Sequence, residues 1–246
     1  MGKLLPLLKI EEGTLPPDVL VCGDPERAKL ISGLMEDGRE LAVNREYHTY
    51  TGTYRGVPLV VCSHGVGAAG AAVCFEELIM GGARRIVRVG TAGSLQREIV
   101  DGDLVVATAA VREDGMTEQL VPQSYPAVAD GAVTAALVGA AGNQDRGVSF
   151  HAGVVLTVGA FYPGVMELPN NLMSHAGVLA VEMECSVLFV IAGLRKIQAG
   201  AVLAIDGLAI DFDGADYNPH RDAVKRGVTA GAQVALEALV AMRKGD

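Results

Sequence analysis

Tryptophan is absent from the 246-residue chain, and Tyr and Phe hold the aromatics to 4%. A core made from this sequence has to be assembled from small and branched aliphatic side chains. Positive charge is also in short supply: 20 Lys and Arg face 29 Asp and Glu, for a formal net charge of −9. That balance argues against a general nucleic-acid binder, which needs a basic footprint, but leaves room for a small anion in a local basic pocket. No apolar run approaches the roughly 20 residues that cross a bilayer. Residues 1–9 lack the long apolar stretch and small-residue cleavage site of a signal peptide. A cytoplasmic protein with no membrane partner is expected. Cys22, Cys62, Cys74 and Cys185 lie far apart, with no CxxC or Cys/His spacing. They read as reduced, buried thiols, and no metal is expected. What the chain does have is apolar material, at 50% of residues, and 31 glycines. That suffices for one large core and favours tight turns and close backbone approach.

Short apolar runs rich in β-branched residues read as strands buried on both faces: 19–22, 59–62, 85–89, 104–107, 154–158, 178–181 and 201–205. Between them, 68–80, 132–141, 183–194 and 221–244 read as helices. The first stops at Gly81-Gly82 and the last is preceded by Asn218-Pro219. Alternation of the two predicts an α/β class, with a central mixed, largely parallel sheet flanked by helices. No linker or repeat interrupts the chain, so one domain is expected over 1–246. The polar segment 208–217, with three Asp, reads either as a solvated loop or as a lid just past a strand end.

Chemistry-bearing residues cluster after the predicted strands. In CGDPERA (22–28), Gly23 permits close backbone approach, Pro25 can open a helix and Arg27 falls in its first turn, a geometry suited to an oxyanion. In RVGTAGSL (88–95), Arg88 is a charge in an otherwise apolar strand, costly unless paired. With Thr91 and Gly93 it makes a second anion half-site, or else it is a structural ion pair. The glycines of SHGVGAAG (63–70) mimic a dinucleotide fingerprint without the acidic residue that should follow about 20 positions on. The loop reads as a close-approach turn beside a sugar or phosphate, and His64 reads more simply as a satisfied core histidine. In VEMEC (181–185), Glu184 either favours the positive end of a helix or accepts from a ribose diol, with Met183 against the sugar face. Asp206 closes an apolar strand. It either caps a turn or, with its pKa raised by burial, serves as a general acid.

The combination of Gly-Asp-Pro-x-Arg, the strand-end Arg88 to Ser94, Val181 to Glu184 and Asp206-Gly207 resembles the nucleoside phosphorylase-I family. So do NREYHTY (44–50), AAVREDG (109–115) and GLRKIQAGAVLAIDG (193–207). The resemblance spans nearly the whole chain and is closest to the hexameric, purine-specific branch found in apicomplexan parasites. It implies a three-layer fold and reversible phosphorolysis of inosine- or guanosine-type nucleosides to base and ribose-1-phosphate. Inorganic phosphate would be a co-substrate, with no cofactor. It also implies a homo-hexamer, a trimer of dimers, whose sites are completed by a neighbour. By the same resemblance, Gly23, Arg27, Arg88 and Thr91 bind phosphate, with Arg45 reaching it from the adjacent subunit. Glu182, Met183 and Glu184 hold ribose. Phe161, Val181 and Phe212 line the base, and Asp206 protonates purine N7.

Two positions depart from the family pattern. Leu7 stands where a His would meet the nucleoside 5′-hydroxyl, and Phe212 replaces a lid Trp. Two alternatives share the fold. A uridine phosphorylase would place a Gln and an Arg after the Tyr162-Pro163-Gly164 turn, where this chain has Val165, Met166 and Glu167. A nucleosidase using water would have no anion for its arginines.

Overall fold

The structure, a computed structural model, describes residues 2–142, 147–210, 218 and 220–245. In chain order its elements are β1 (Asp18–Cys22), α1 (Pro25–Ser32), β2 (Glu36–Asn44), β3 (Tyr47–Tyr54), β4 (Val57–Ser63), α2 (Ala68–Gly81), β5 (Arg85–Ser94), β6 (Leu104–Glu113), β7 (Ala127–Val128), α3 (Gly131–Gly142), β8 (Phe150–Val158), α4 (Asn170–His175), β9 (Ala180–Glu182), α5 (Cys185–Arg195), β10 (Gln198–Leu208) and α6 (Asp222–Gly245). All seven apolar runs form strands and all four expected helices form. The strand order is β10-β6-β8-β9-β5-β1-β4-β3-β2, with β7 beside β6 and β10 also paired to β5. The pairings of β5, β10, β6, β8 and β9 thus close into a ring, from which β1, β4, β3 and β2 extend as a wing. The sheet is mixed.

Side-chain alternation along the central strands divides the core in two. Val19, Val21, Val60, Cys62 and Ile86 pack with Phe75 and Leu78 of α2 and with Val187–Ala192 of α5. Their sequence neighbours Leu20, Cys22, Leu59, Val61 and Val87 pack on the other face with α1, α3 and α6. The result is three layers, with every central strand covered twice. That explains why these strands read as continuous apolar runs. No helix among the described residues is long and apolar enough to cross a membrane.

Three differences from the sequence expectations bear on function. β5 does not end at Val89 but continues to Ser94. A Cβ at Gly90 would lie 2.7 Å from Leu203 of β10, so the glycine that reads as a stop is there to let the strands approach. The helix expected from residue 183 begins at Cys185, leaving Met183 and Glu184 outside it. Finally, NREYHTY is the turn of a hairpin, β2–β3, with Arg45 at φ 56°. β2 is almost wholly exposed and has no apolar alternation to betray it.

Helix α6 is seated by a contact between two glycines. A Cβ on Gly227 would lie 2.6 Å from the carbonyl oxygen of Gly102, in the turn that also exchanges backbone hydrogen bonds with Ile205 of β10. Helix propensity alone predicts a gain of about 0.8–1 kcal/mol for Gly→Ala in a helix interior. Here the sign reverses: Gly227→Ala is expected to lower the urea unfolding midpoint and destabilise by about 1–3 kcal/mol through overpacking.

Candidate active site

Strands β4, β1, β5 and β10 run parallel, so their carboxyl ends share one edge. A cleft of about 660 Å³ opens there, the place where open α/β sheets bind ligands. It is lined by Gly23, Arg27, Arg88, Thr91, Phe161, Val181, Glu182, Met183, Glu184 and Asp206. These residues come from five separate stretches of chain, and the fold gathers them. Arg45 does not line it; it sits exposed at the tip of the β2–β3 hairpin. Phe212 and most of the 208–217 segment lie outside the described residues.

The anion end begins with the turn after β1. Asp24 caps α1, accepting from the backbone N–H of Glu26 at 2.9 Å, and Pro25 occupies the first turn. Arg27 follows one turn into the cleft and has no ion-pair partner among the described residues. The turn after β4 packs against it: a Cβ on Gly23 would lie 3.1 Å from the Gly65 carbonyl oxygen. The two loops approach as closely as backbone allows.

Arg88 is 4% exposed and projects from the middle of β5. Its guanidinium lies across Gly90, two residues on along the same face, where a Cβ would come within 2.8 Å of Nη2. Nη2 pairs with Glu184 at 2.5 Å and with Glu182 at 3.2 Å, Nε donates to Glu182 at 3.3 Å, and Nη1 reaches Nε2 of His64 at 3.0 Å. Burial opposes the charge, but the two carboxylates outweigh it and raise the Arg88 pKa. For Glu184 burial dominates, with repulsion from Glu182 added. Together they outweigh Arg88 and push this carboxyl above its ordinary value.

The two glutamates divide their work. Glu182 accepts from the backbone N–H groups of Glu184 (2.8 Å) and Cys185 (2.9 Å) and from Thr157 Oγ1 (2.6 Å). It therefore caps α5, the role the sequence allowed for Glu184, and its oxygens are occupied. The resemblance also gives Glu182 to the ribose, and it lines the cleft beside Met183 and Glu184. Glu184 makes no such cap; one oxygen accepts from Gly67 N at 2.6 Å and the other meets Arg88, so it spans α2 and β5 at the edge of the cleft.

At the opposite end, Asp206 is 4% exposed. β10 and β5 are in register at Ile205–Ala92 and again at Gly207–Gly93, which makes Asp206 the extra residue of a bulge. A bulge re-aims the side chain of its unpaired residue, and here Asp206 lines the cleft. Its carbonyl accepts from Arg221 Nη2 at 3.1 Å, and Arg221 also pairs with Asp101 at 2.6 Å. The Arg221 anchor, the bulge and the His64 contact were not evident from sequence, because each depends on pairing between distant segments. Leu7 is held at its backbone, donating to Glu77 and accepting from Asn44 Nδ2 at 2.8 Å, beside the Arg45 turn.

All four cysteines are buried and unbridged. Burial pushes the Cys22 thiol, next to the anion loop, up to about 12, and it holds Cys74 and Cys185 well above the usual thiol range. The folded protein is expected to leave Ellman's reagent unreacted at pH 8 over minutes, and the urea-unfolded chain to titrate fully. Rapid native labelling would contradict the burial described.

A family model described as "Phosphorylase superfamily" matches residues 17–241. The chain is 39% identical to purine nucleoside phosphorylase of Plasmodium falciparum over 228 residues, covering 90% of this chain and 92% of that one. It is 42% identical to uridine phosphorylase of Thermococcus kodakarensis over 199 residues, covering 76% and 71%. Among solved structures, purine nucleoside phosphorylase from Toxoplasma gondii superposes with a TM-score of 0.93 at 30% identity, covering 100% and 99%. A carboxyl-edge cleft with buried arginine and paired glutamates, on a chain matched along nearly its whole length, belongs to the phosphorylase superfamily, whose nucleoside phosphorylases transfer a pentosyl group to phosphate.

Proposed function

We propose that the protein is a purine nucleoside phosphorylase, cleaving inosine- and guanosine-type nucleosides with inorganic phosphate and no metal or cofactor. Asp206 carries this reading: a buried carboxyl in the cleft lining, at a bulge beyond Ala92 and so further along the paired strands than Arg88. Arg27 and Arg88, with Gly23 and Thr91, bind the phosphate. Glu184 accepts from the ribose hydroxyls and Met183 packs on the sugar. Phe161 and Val181 flank the base, and Phe212 belongs to the same group by sequence.

The chemistry follows from where charge develops. Breaking the glycosidic bond builds positive charge on the ribose, and a phosphate dianion held against its face stabilises that charge and then forms the new C–O bond. A site with two glutamates repels a dianion. Arg27, which has no ion-pair partner among the described residues, offsets this together with Arg88. At the other end the departing base takes a proton at N7 from Asp206, so it leaves neutral. The Asp206→Asn enzyme is expected to retain phosphate binding and to lose roughly 10²–10⁴-fold in inosine turnover. Near-native turnover would remove Asp206 from the mechanism.

The uridine reading is disfavoured by the turn after Tyr162. Val165 and Met166 are exposed and apolar there, and neither the Gln nor the Arg expected of a uracil reader follows the turn. Parallel assays of inosine, guanosine, adenosine and uridine, each with and without phosphate, separate the readings. Phosphate-dependent inosine cleavage is expected. Preferred uridine cleavage, or phosphate-independent cleavage, would replace the purine assignment.

The exposed hairpin tip suits an assembly in which Arg45 enters a neighbour's cleft within a cytoplasmic hexamer. Arg45→Ala is then expected to raise the phosphate KM. Co-expressing it with Asp206→Asn would restore activity at low phosphate in about a quarter of sites, as random isologous pairing gives. No recovery in mixed assemblies would place Arg45 outside the partner's site.

A further inference from the structure

Arg88 has more partners than an arginine reserved for an anion requires, and one of them is not an acid. The two carboxylates take Nε and both hydrogens of Nη2. Nη1 carries two N–H groups. One reaches Nε2 of His64 at 3.0 Å, the Cys185 side chain is a further hydrogen-bond partner of the guanidinium, and Arg88 lines the cleft. A guanidinium can only donate, so Nε2 must accept and the imidazole proton must sit on Nδ1. The surroundings agree: Nδ1 lies 2.9 Å from the Gly65 carbonyl oxygen, which can only accept. The ring is wholly buried and stands edge-on to Phe75, with centroids 5.4 Å apart at 75°, so it has no room to turn. Burial, with the Arg88 charge added, holds its pKa well below the usual histidine value. An imidazolium would set N–H against N–H.

We propose that His64 is a positioning residue for the anion site: as a neutral Nδ1–H imidazole it takes one Nη1 hydrogen of Arg88 and so aims the other into the cleft. A neutral acceptor suits this task, because a third carboxylate would orient Arg88 equally well but cancel more of the charge the anion needs. The inference rests on reading the cleft as a phosphate site.

Binding of inorganic phosphate, measured by titration calorimetry on the full protein, tests it with His64→Leu and His64→Gln. The leucine removes the acceptor, and phosphate is expected to bind roughly tenfold or more weakly. Glutamine restores an acceptor oxygen at similar reach and is expected to stay within about threefold of wild type. Nucleoside KM should move much less than phosphate affinity, which a general loss of structure would not produce. Nitrogen-15 spectra of histidine-labelled wild-type protein provide a second measurement that does not rely on the leucine variant. They should show one protonated Nδ1 paired with an unprotonated Nε2, assigned to His64 by its loss in His64→Gln. Wild-type phosphate affinity in His64→Leu, failure of glutamine to rescue, or a protonated Nε2 overturns the proposal. Phosphate binding that depends on His64 in a protein that cleaves no nucleoside would defeat the proposed reaction instead and leave the positioning role standing.

Discussion

A guanidinium buried in the middle of a β-strand is the constraint around which this site is built. Transferring Arg88 from water is tolerable only if its hydrogen-bonding groups find partners and its charge is balanced. The sheet solves both with residues from four places: Glu182 at the end of β9, Glu184 before α5, His64 after β4, and the space over Gly90 in β5 itself. Each partner is in turn fixed by something else. Glu182 is tied to the first N–H groups of α5, Glu184 to Gly67 ahead of α2, and His64 to the Gly65 carbonyl. Loss of any one leaves a polar group unmatched in a dry place, which couples the orientation of Arg88 to the seating of two helices.

The opposite end of the cleft is governed by backbone geometry. A regular strand would alternate Asp206 with its neighbours according to the pleat, and the bulge at this position breaks that alternation. Arg221 then holds the Asp206 carbonyl from the start of α6 while pairing with Asp101 in the turn between β5 and β6. That same turn meets α6 through Gly102 and Gly227. The acid is thus referenced to β5, β10 and α6 at once, and its distance from Arg88 is set by rigid elements rather than by a loop.

Much of this was legible in the residues, and the remainder was hidden for identifiable reasons. Strands such as 19–22 and 59–62 are covered on both faces, and continuous β-branched runs say so. β2 escaped because its exposed edge carries no apolar alternation, and β3 went with it. The cost of a charge inside an apolar strand correctly singled out Arg88, but composition could not say whether an anion or a carboxylate met it. The structure shows two carboxylates there. Glu182 and Glu184 are two residues apart, and the helix-end role that the sequence allowed for Glu184 falls to Glu182. What separates them is where α5 begins, and helix starts are among the least determined features of a sequence. His64 looked inert because a buried histidine with satisfied nitrogens is common, and only the identity of its partner gives it meaning.

A protein of net charge −9 that gathers arginines for an anion looks contradictory until distances are considered. Exposed carboxylates more than about 8 Å from the cleft are screened at physiological salt, whereas buried groups interact with much less attenuation. What an entering anion meets is therefore Arg27, which has no acidic partner among the described residues, and the Arg88 guanidinium. The glutamates beside Arg88 set the limit. Fully ionised, they would leave the buried cluster negative. Arg27 adds the second positive charge that balances the two carboxylates in the cleft, while the surface stays acidic and the protein as a whole repels polyanions. The same arithmetic explains why the third acceptor on Arg88 is an imidazole. Replacing it with a carboxylate would still give Arg88 an acceptor, but it would lose the donor that Gly65 needs and add a negative charge that opposes a dianion.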